Sequence, residues 1–64
     1  MLKISLAAAR KNAKLTQAEA AKKLEIAVST LKNWEKGKFS PSVNQAYSLC
    51  ELYGIPIDAI KFPK

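Results

Sequence analysis

The residues best suited to chemistry lie on one arc of a short helix that the sequence predicts at residues 28–36. At about 100° per residue, one side of this helix holds Ala27, Thr30, Leu31 and Trp34. The opposite arc combines a short branched side chain, a hydroxyl, an amide and two ammonium groups, on Val28, Ser29, Lys32, Asn33 and Lys36. Groups of these kinds contact base edges and phosphates. The pattern therefore predicts one face for burial and one face for binding nucleic acid.

The sequence lacks the constellations that catalysis or metal binding requires. It has no His and a single Cys, which excludes an internal disulfide and a Cys/His zinc site. It shows no nucleophile arranged with a base and no glycine-rich phosphate loop, and its acidic residues are scattered singly. We therefore expect no enzyme activity, cofactor, metal or small-molecule substrate, and we expect Cys50 to be a small buried apolar side chain.

The net charge favours a polyanionic partner. Eleven Lys and Arg residues against five Asp and Glu give the 64 residues a charge of +6, which suits nucleic acid or an acidic membrane. A basic surface that only keeps the protein in solution is the alternative. Membrane-surface binding is disfavoured because the cations cluster around a compact motif and not along one long helix. No apolar run approaches the ~20 residues of a membrane span.

Capping signals divide the chain into the helices that hold this arc. A hydroxyl N-cap followed three residues later by Glu or Gln forms a capping box, and two are present: Thr16 with Glu19, and Ser42 with Gln45. Gly37 and Gly54 stand where helices would close in the left-handed conformation. The alternation typical of strands is absent. The sequence therefore predicts one all-α domain over residues 1–64, with helices at about 5–13, 17–24, 28–36, 43–53 and 57–61.

Apolar residues recur on these helices at the spacing of a common core. Trp34 is expected at the centre, joining the helix at 28–36 to the others. The other expected core residues are Leu6, Ala9, Ala13, Ala20, Ala21, Leu24, Leu31, Val43, Ala46, Leu49, Cys50, Tyr53, Ile55, Ile57 and Ile60.

The segment LTQAEAAKKLEIAVSTLKNWEKGK, residues 15–38, resembles the helix-turn-helix of the phage-repressor and Cro family of DNA-binding domains. The matching features are Thr16-Gln17, Ala21, Ile26, Leu31 and the sequence Trp34-Glu35-x-Gly37 at the end of the motif. Outside the motif, the family pattern is also matched by Leu6, Arg10, Pro41-Ser42, Ala46, Leu49, Tyr53-Gly54-Ile55 and Ile57-Asp58. The resemblance covers nearly the whole chain and implies a compact five-helix, lambda-repressor-like domain.

The resemblance implies sequence-specific binding of double-stranded DNA by a transcriptional regulator, such as a phage or bacterial repressor acting in the cytoplasm. The helix at 28–36 would lie in the major groove, with base contacts from Val28, Ser29, Lys32 and Asn33. Phosphate contacts would come from Gln17, Lys36, Lys38, Ser42 and Asn44. The family also pairs an Arg of its first helix with a Glu at the end of its third, here Arg10 and Glu35.

Three positions depart from the family pattern. Lys14 and Glu25 stand at helix ends where the family usually has Gly or Asn. A non-glycine residue is therefore expected in the left-handed conformation at both positions, at a cost of about 1 kcal/mol each. Ala27 stands where the family commonly has a Ser or Thr N-cap, and its side chain cannot cap the helix.

The remaining expectations concern partners. One short helix meets only a few base pairs, so useful specificity favours two copies on half-sites about one helical turn apart. Ile57, Ile60 and Phe62 are candidates for a contact between the copies, unless they close the core. The alternative function is that of an antitoxin-type or adaptor domain of the same fold, whose fourth and fifth helices bind another protein.

Overall fold

The computed structural model describes residues 3–62, and in that range the chain forms four α-helices, one 3₁₀ turn and one pair of two-residue strands. The elements in chain order are β1 (Ile4–Ser5), α1 (Leu6–Asn12), α2 (Gln17–Leu24), α3 (Val28–Lys36), α4 (Val43–Tyr53), the 3₁₀ turn (Ile57–Ala59) and β2 (Ile60–Lys61). The predicted all-α class is confirmed, and four of the five predicted helices are present within a residue or two of their expected bounds.

The predicted fifth helix at residues 57–61 is wrong. Only Ile57–Ala59 form a turn of 3₁₀ helix, after which the backbone extends as β2 and pairs with β1 in parallel. Ile4 lies opposite Ile60, and Ser5 lies opposite Lys61. The extended backbone carries the Ile60 side chain into the core, where it is 2% exposed. The expectation that the chain contains no strands is therefore also wrong.

The start of each helix is set by the residue before it. The side chains of Ser5, Thr16 and Ser42 accept hydrogen bonds from backbone N–H groups in the first turns of α1, α2 and α4. Both predicted capping boxes are complete, because the Glu19 and Gln45 side chains accept the backbone N–H of Thr16 and Ser42 at 2.8 Å. The start of α3 differs, because Ala27 provides no side-chain hydrogen bond. The expectation that Ala27 lies on the buried side is wrong: it precedes the helix in extended backbone, and it is exposed.

The helix ends follow the predicted left-handed positions. Gly37 closes α3 with φ 82°, and Gly54 closes α4 with φ 71°. Lys14 and Glu25 have φ of 61° and 58°, so the two departures from the family pattern are indeed non-glycine residues in the left-handed region. Each end redirects the chain, and Glu25 does so between α2 and α3.

The core lies where the four helices meet. Leu6, Leu31 and Leu49 are its largest fully buried side chains, and Trp34 is 5% exposed, which confirms that Trp34 is buried in the core as predicted. Buried Ala20 and Ala21 give α2 the small side chains that allow helices to pack closely. The prediction for Val43 is wrong: it is the first residue of α4, and its side chain is 70% exposed. None of the helices in residues 3–62 combines the length and the apolar character that a bilayer crossing requires.

Candidate nucleic-acid interface

The α3 helix presents two faces of different character. Leu31 and Trp34 are buried on one side. Of the four residues expected to contact bases, Ser29 and Lys32 are exposed, Val28 is 36% exposed, and Asn33 is half-buried. The arc is therefore present as an accessible surface with hydroxyl, ammonium, amide and methyl groups. Asn33 is the least exposed of the four residues.

The end of α3 is fixed by backbone hydrogen bonds. The N–H of Gly37 donates to Trp34 O at 3.2 Å, and the N–H of Lys38 donates to Asn33 O at 3.0 Å. These bonds satisfy carbonyl groups that a helix end leaves without intrahelical partners. Because Gly37 turns the chain sharply, the exposed Lys36 and Lys38 lie on either side of this turn.

The remaining phosphate candidates lie around the start of α4. Ser42 and Asn44 are both exposed. The Ser42 hydroxyl oxygen accepts the N–H of Gln45 at 3.2 Å, so this side chain has a capping role in addition to any contact with DNA. The ammonium group of Lys38 lies 5.9 Å from the centre of the Phe39 ring, within reach of a cation–π contact.

Arg10 and Glu35 form a buried ion pair that joins α1 to α3. Arg10 Nε donates to Glu35 Oε2 at 2.8 Å, and Arg10 Nη2 donates to Oε1 at 3.4 Å. The two side chains are only 10% and 7% exposed. Arg10 Nη1 also donates to the backbone oxygen of Leu15 at 2.9 Å, which ties the segment before α2 to the same site. Removing one partner would leave an uncompensated buried charge.

Gln17 belongs to this polar cluster, which sequence reasoning did not foresee. Its Nε2 donates to Glu35 Oε1 at 3.0 Å, and its side chain is half-buried. Helical spacing relates residues within one helix and gives no signal for a contact between the start of α2 and the end of α3. The predicted phosphate contact and the ion pair are thus neighbours in space.

Tyr53 adds a buried hydroxyl beside the cluster. The hydroxyl has no hydrogen-bond partner among residues 3–62. Burial, and to a smaller extent the Glu35 charge, raise the pKa of Tyr53 to about 12 against the opposing effect of the Arg10 charge. The phenol is therefore neutral at any physiological pH.

The described surface also contains grooves. One groove, of about 470 Å³, lies between α2 and α4 and includes none of the residues expected to contact DNA. A smaller apolar groove of about 180 Å³ lies beside the start of α4 and includes Val43, Tyr47, Ile57 and Phe62. Val43 and Tyr47, four residues apart on α4, form an exposed apolar stripe, and Phe39 is 59% exposed. None of the four residues expected to contact bases lines either groove.

Comparison with known proteins agrees with this architecture. The family model described as "Helix-turn-helix" matches residues 6–60. An uncharacterised helix-turn-helix-type transcriptional regulator from Methanocaldococcus jannaschii is 39% identical over 46 residues, which cover 72% of this chain and 70% of that protein. The chain therefore belongs to the helix-turn-helix family, of the phage-repressor and Cro type that its sequence resembles, whose members bind DNA as transcriptional regulators.

Proposed function

We propose that the chain regulates transcription by binding a specific sequence of double-stranded DNA, with α3 in the major groove. The observation that carries this proposal is the accessible polar arc of α3, which lies opposite the buried Leu31 and Trp34. A helix anchored by its apolar side presents its other side in a fixed orientation, as base recognition requires. The proposed activity is binding without a chemical step. We place this activity in the cytoplasm, as the compartment that holds the DNA.

The base contacts are assigned to the four residues of the arc. Asn33 can pair bidentately with adenine, Ser29 can donate to or accept from several bases, and Val28 can pack on a thymine methyl. Lys32 can reach guanine or a phosphate. Val28 and Ser29 belong to the first turn of α3, the turn that such helices present deepest in the groove.

The phosphate contacts are assigned to two groups on either side of α3. Gln17 at the start of α2 provides the first, supported by the backbone N–H groups and the positive end of that helix. Lys36, Lys38, Ser42 and Asn44 provide the second. The net charge of +6 favours both sets of phosphate contacts, because cationic side chains that neutralise phosphates release counterions from the DNA.

The test begins with selection of bound duplexes from a random pool, followed by titrations on the selected site and a scrambled one across a salt series. Asn33→Ala is expected to lose ~1–3 kcal/mol on the selected site only. Lys38→Ala is the matched comparison: it should weaken binding to both duplexes and reduce the salt slope by about one. Equal losses for Asn33→Ala on both duplexes would contradict base reading by α3.

We further propose that two copies occupy DNA together. Half-sites one helical turn apart have centres about 34 Å apart, and the domain measures 31 × 24 × 19 Å. Two copies on adjacent turns therefore leave little space between them. Ile60 is excluded as a contact because it is buried in the core, whereas Ile57 and Phe62 border the apolar groove beside the start of α4. That groove adjoins Ser42, so a second copy seated there continues the proposed DNA-binding surface.

Footprinting on the selected duplex tests the two-copy arrangement. A protected region with two related half-sites is expected, and Tyr47→Gln on the exposed stripe should reduce occupancy of the paired site while leaving a single half-site bound as before. Protection of one unrepeated half-site would contradict the arrangement.

A further inference from the structure

The buried ion pair has a third member whose position bears on DNA binding. Glu35 Oε1 accepts a hydrogen bond from Gln17 Nε2 at 3.0 Å as well as the longer bond from Arg10 Nη2. Gln17 is the first residue of α2, and Glu35 lies in the last turn of α3. One carboxylate therefore connects the start of the helix proposed to contact phosphate with the end of the helix proposed to read bases.

Gln17 retains hydrogen-bonding capacity beyond this contact. A primary amide has two N–H donors and a carbonyl acceptor, and Glu35 takes one donor. Within residues 3–62, the backbone N–H groups of Gln17 and Ala18 also have no acceptor, as is usual in the first turn of a helix. A phosphate at the start of α2 would therefore meet donors from one side chain and from the backbone.

Glu35 can hold Gln17 close to an anion because its own charge is compensated. Arg10 Nε lies 2.8 Å from Glu35 Oε2, and both side chains are at most 10% exposed. An unpaired carboxylate at this position would repel a phosphate, whereas the pair is close to neutral. The bond from Arg10 to the backbone oxygen of Leu15 also fixes the segment that leads into α2.

We propose that Glu35 is a positioning residue for DNA binding. Held in place by Arg10, it holds the Gln17 amide, so that the phosphate contact at the start of α2 and the base-reading arc of α3 keep one relative position. This inference rests on the proposed function. It gives the ion pair a role in binding in addition to its role in stability.

Two double variants separate the roles: Arg10→Met with Glu35→Leu, and Arg10→Met with Glu35→Gln. Each removes both charges, so neither leaves a buried charge unpaired and the net charge of the protein is unchanged. Only Gln at position 35 offers an acceptor to the Gln17 amide. The affinity of each folded variant for a duplex carrying the selected site is measured across a salt series, with the folded fraction determined by circular dichroism.

The Leu variant is expected to bind about three- to tenfold more weakly than the Gln variant, the effect of one hydrogen bond. The salt slopes of the two should be equal, because Gln17 carries no charge and releases no counterion. Adding Gln17→Ala to both variants should make their affinities equal, since position 35 then has no amide to hold. Equal affinities with Gln17 present, or a difference that survives Gln17→Ala, would overturn the proposal.

Failure of the proposed function can be told apart from failure of this inference. In that case the wild-type chain itself binds the selected and scrambled duplexes equally. If the Leu variant does not fold, the wild-type chain itself supplies the test. The side-chain amide protons of Gln17 are followed by NMR in the free chain and on the selected duplex. An amide bonded to Glu35 in both states supports the proposal, and loss of the hydrogen-bonded proton shift on binding overturns it.

Discussion

The starts of α2 and α4 differ from the start of α3. Both α2 and α4 begin with complete capping boxes, whereas α3 follows Ala27, which makes no side-chain hydrogen bond. The middle of α3 is instead held by buried Leu31 and Trp34, and its end by Gly37 and Glu35. The helix proposed to read DNA is therefore stabilised by tertiary contacts and not by a side-chain cap at its start.

The largest expected effect tests the tertiary anchor of α3. Trp34→Ala should destabilise the protein by ~3–5 kcal/mol, because it removes a large buried side chain and leaves a cavity. That loss is comparable to the whole stability of many small domains, so thermal denaturation should show an unfolded or nearly unfolded chain. Tyr47→Ala removes an aromatic ring that is 57% exposed and serves as the control. A Trp34→Ala variant that melts within a few degrees of wild type would show that burial of Trp34 does not stabilise α3.

Removing a cap tests the other side of the comparison. Thr16→Ala and Ser42→Ala each delete the hydroxyl that accepts an N–H in the first turn of its helix, and each should cost ~0.5–2 kcal/mol. Urea denaturation measures the loss. Ser40→Ala, in the exposed loop before α4, is the matched control and should change little. Losses no larger than that of the control would mean that the boxes do not stabilise α2 and α4.

Adding an N-cap to α3 should partly remove the difference between its start and the starts of α2 and α4. Ala27 already has the extended conformation of an N-cap, with φ −71° and ψ 147°, so Ala27→Ser should stabilise the free protein by about 0.5–1 kcal/mol. Ala18→Ser, inside the first turn of α2, lacks that geometry and should be neutral or slightly unfavourable. The measurement is the urea midpoint without DNA. If Ala27→Ser gives no gain over Ala18→Ser, the missing hydroxyl is not what leaves α3 unsupported.

A smaller effect is expected between α2 and α3. Glu25 has φ 58°, and Gly at this position would relieve ~1–2 kcal/mol of left-handed strain while losing ~0.5–1 kcal/mol through the greater freedom of the unfolded chain. Glu25→Gly should therefore raise stability by about 0.5 kcal/mol. Glu51→Gly within α4 should instead lower it by about 1 kcal/mol. A loss at both positions would show that Glu25 is not strained.

The smallest effect is a dependence of the α2 cap on pH. The hydrogen bonds from Thr16 to the Glu19 carboxylate lower the pKa of Glu19 below its ordinary value of 4.5. A lowered folded-state pKa stabilises the protein above pH 4.5, and this contribution is lost as the pH falls through the folded-state value. Wild type should therefore lose more stability than Glu19→Gln between pH 6 and pH 3 in urea titrations. Parallel curves for the two proteins would contradict this account.

The sequence was sufficient for the features that arise from local chemistry. Hydroxyl caps, glycine ends and helical spacing identify α1 to α4 and the burial of Trp34, because each signal lies within a few residues of its effect. Val43 was misassigned because helical spacing does not show which turn of a helix its neighbours cover, and the Val43 side chain is 70% exposed. The pair of two-residue strands gave no signal, since such short strands have no periodicity and their pairing depends on distant residues.

The candidate interface likewise has a part that local sequence signals predict and a part that they do not. The exposed arc of α3 follows from helical spacing, because Ser29 and Lys32 lie on the side away from the buried pair Leu31 and Trp34. The bond between Gln17 and Glu35 joins residues of two helices, so it depends on how those helices pack and not on any interval in the sequence. The contacts with bases and phosphates remain predictions that the titrations above test.

The pairing of β1 with β2 has a consequence for the order of folding. It closes almost the entire described chain into one loop, and closing a long loop carries the largest entropic cost. The helices can associate earlier through contacts between neighbours in sequence, and Ile60 gains its burial only when that core exists. The two strands should therefore dock last. They should also be the first elements to open in the folded protein, so hydrogen exchange at both ends of the described chain should report a single shared event.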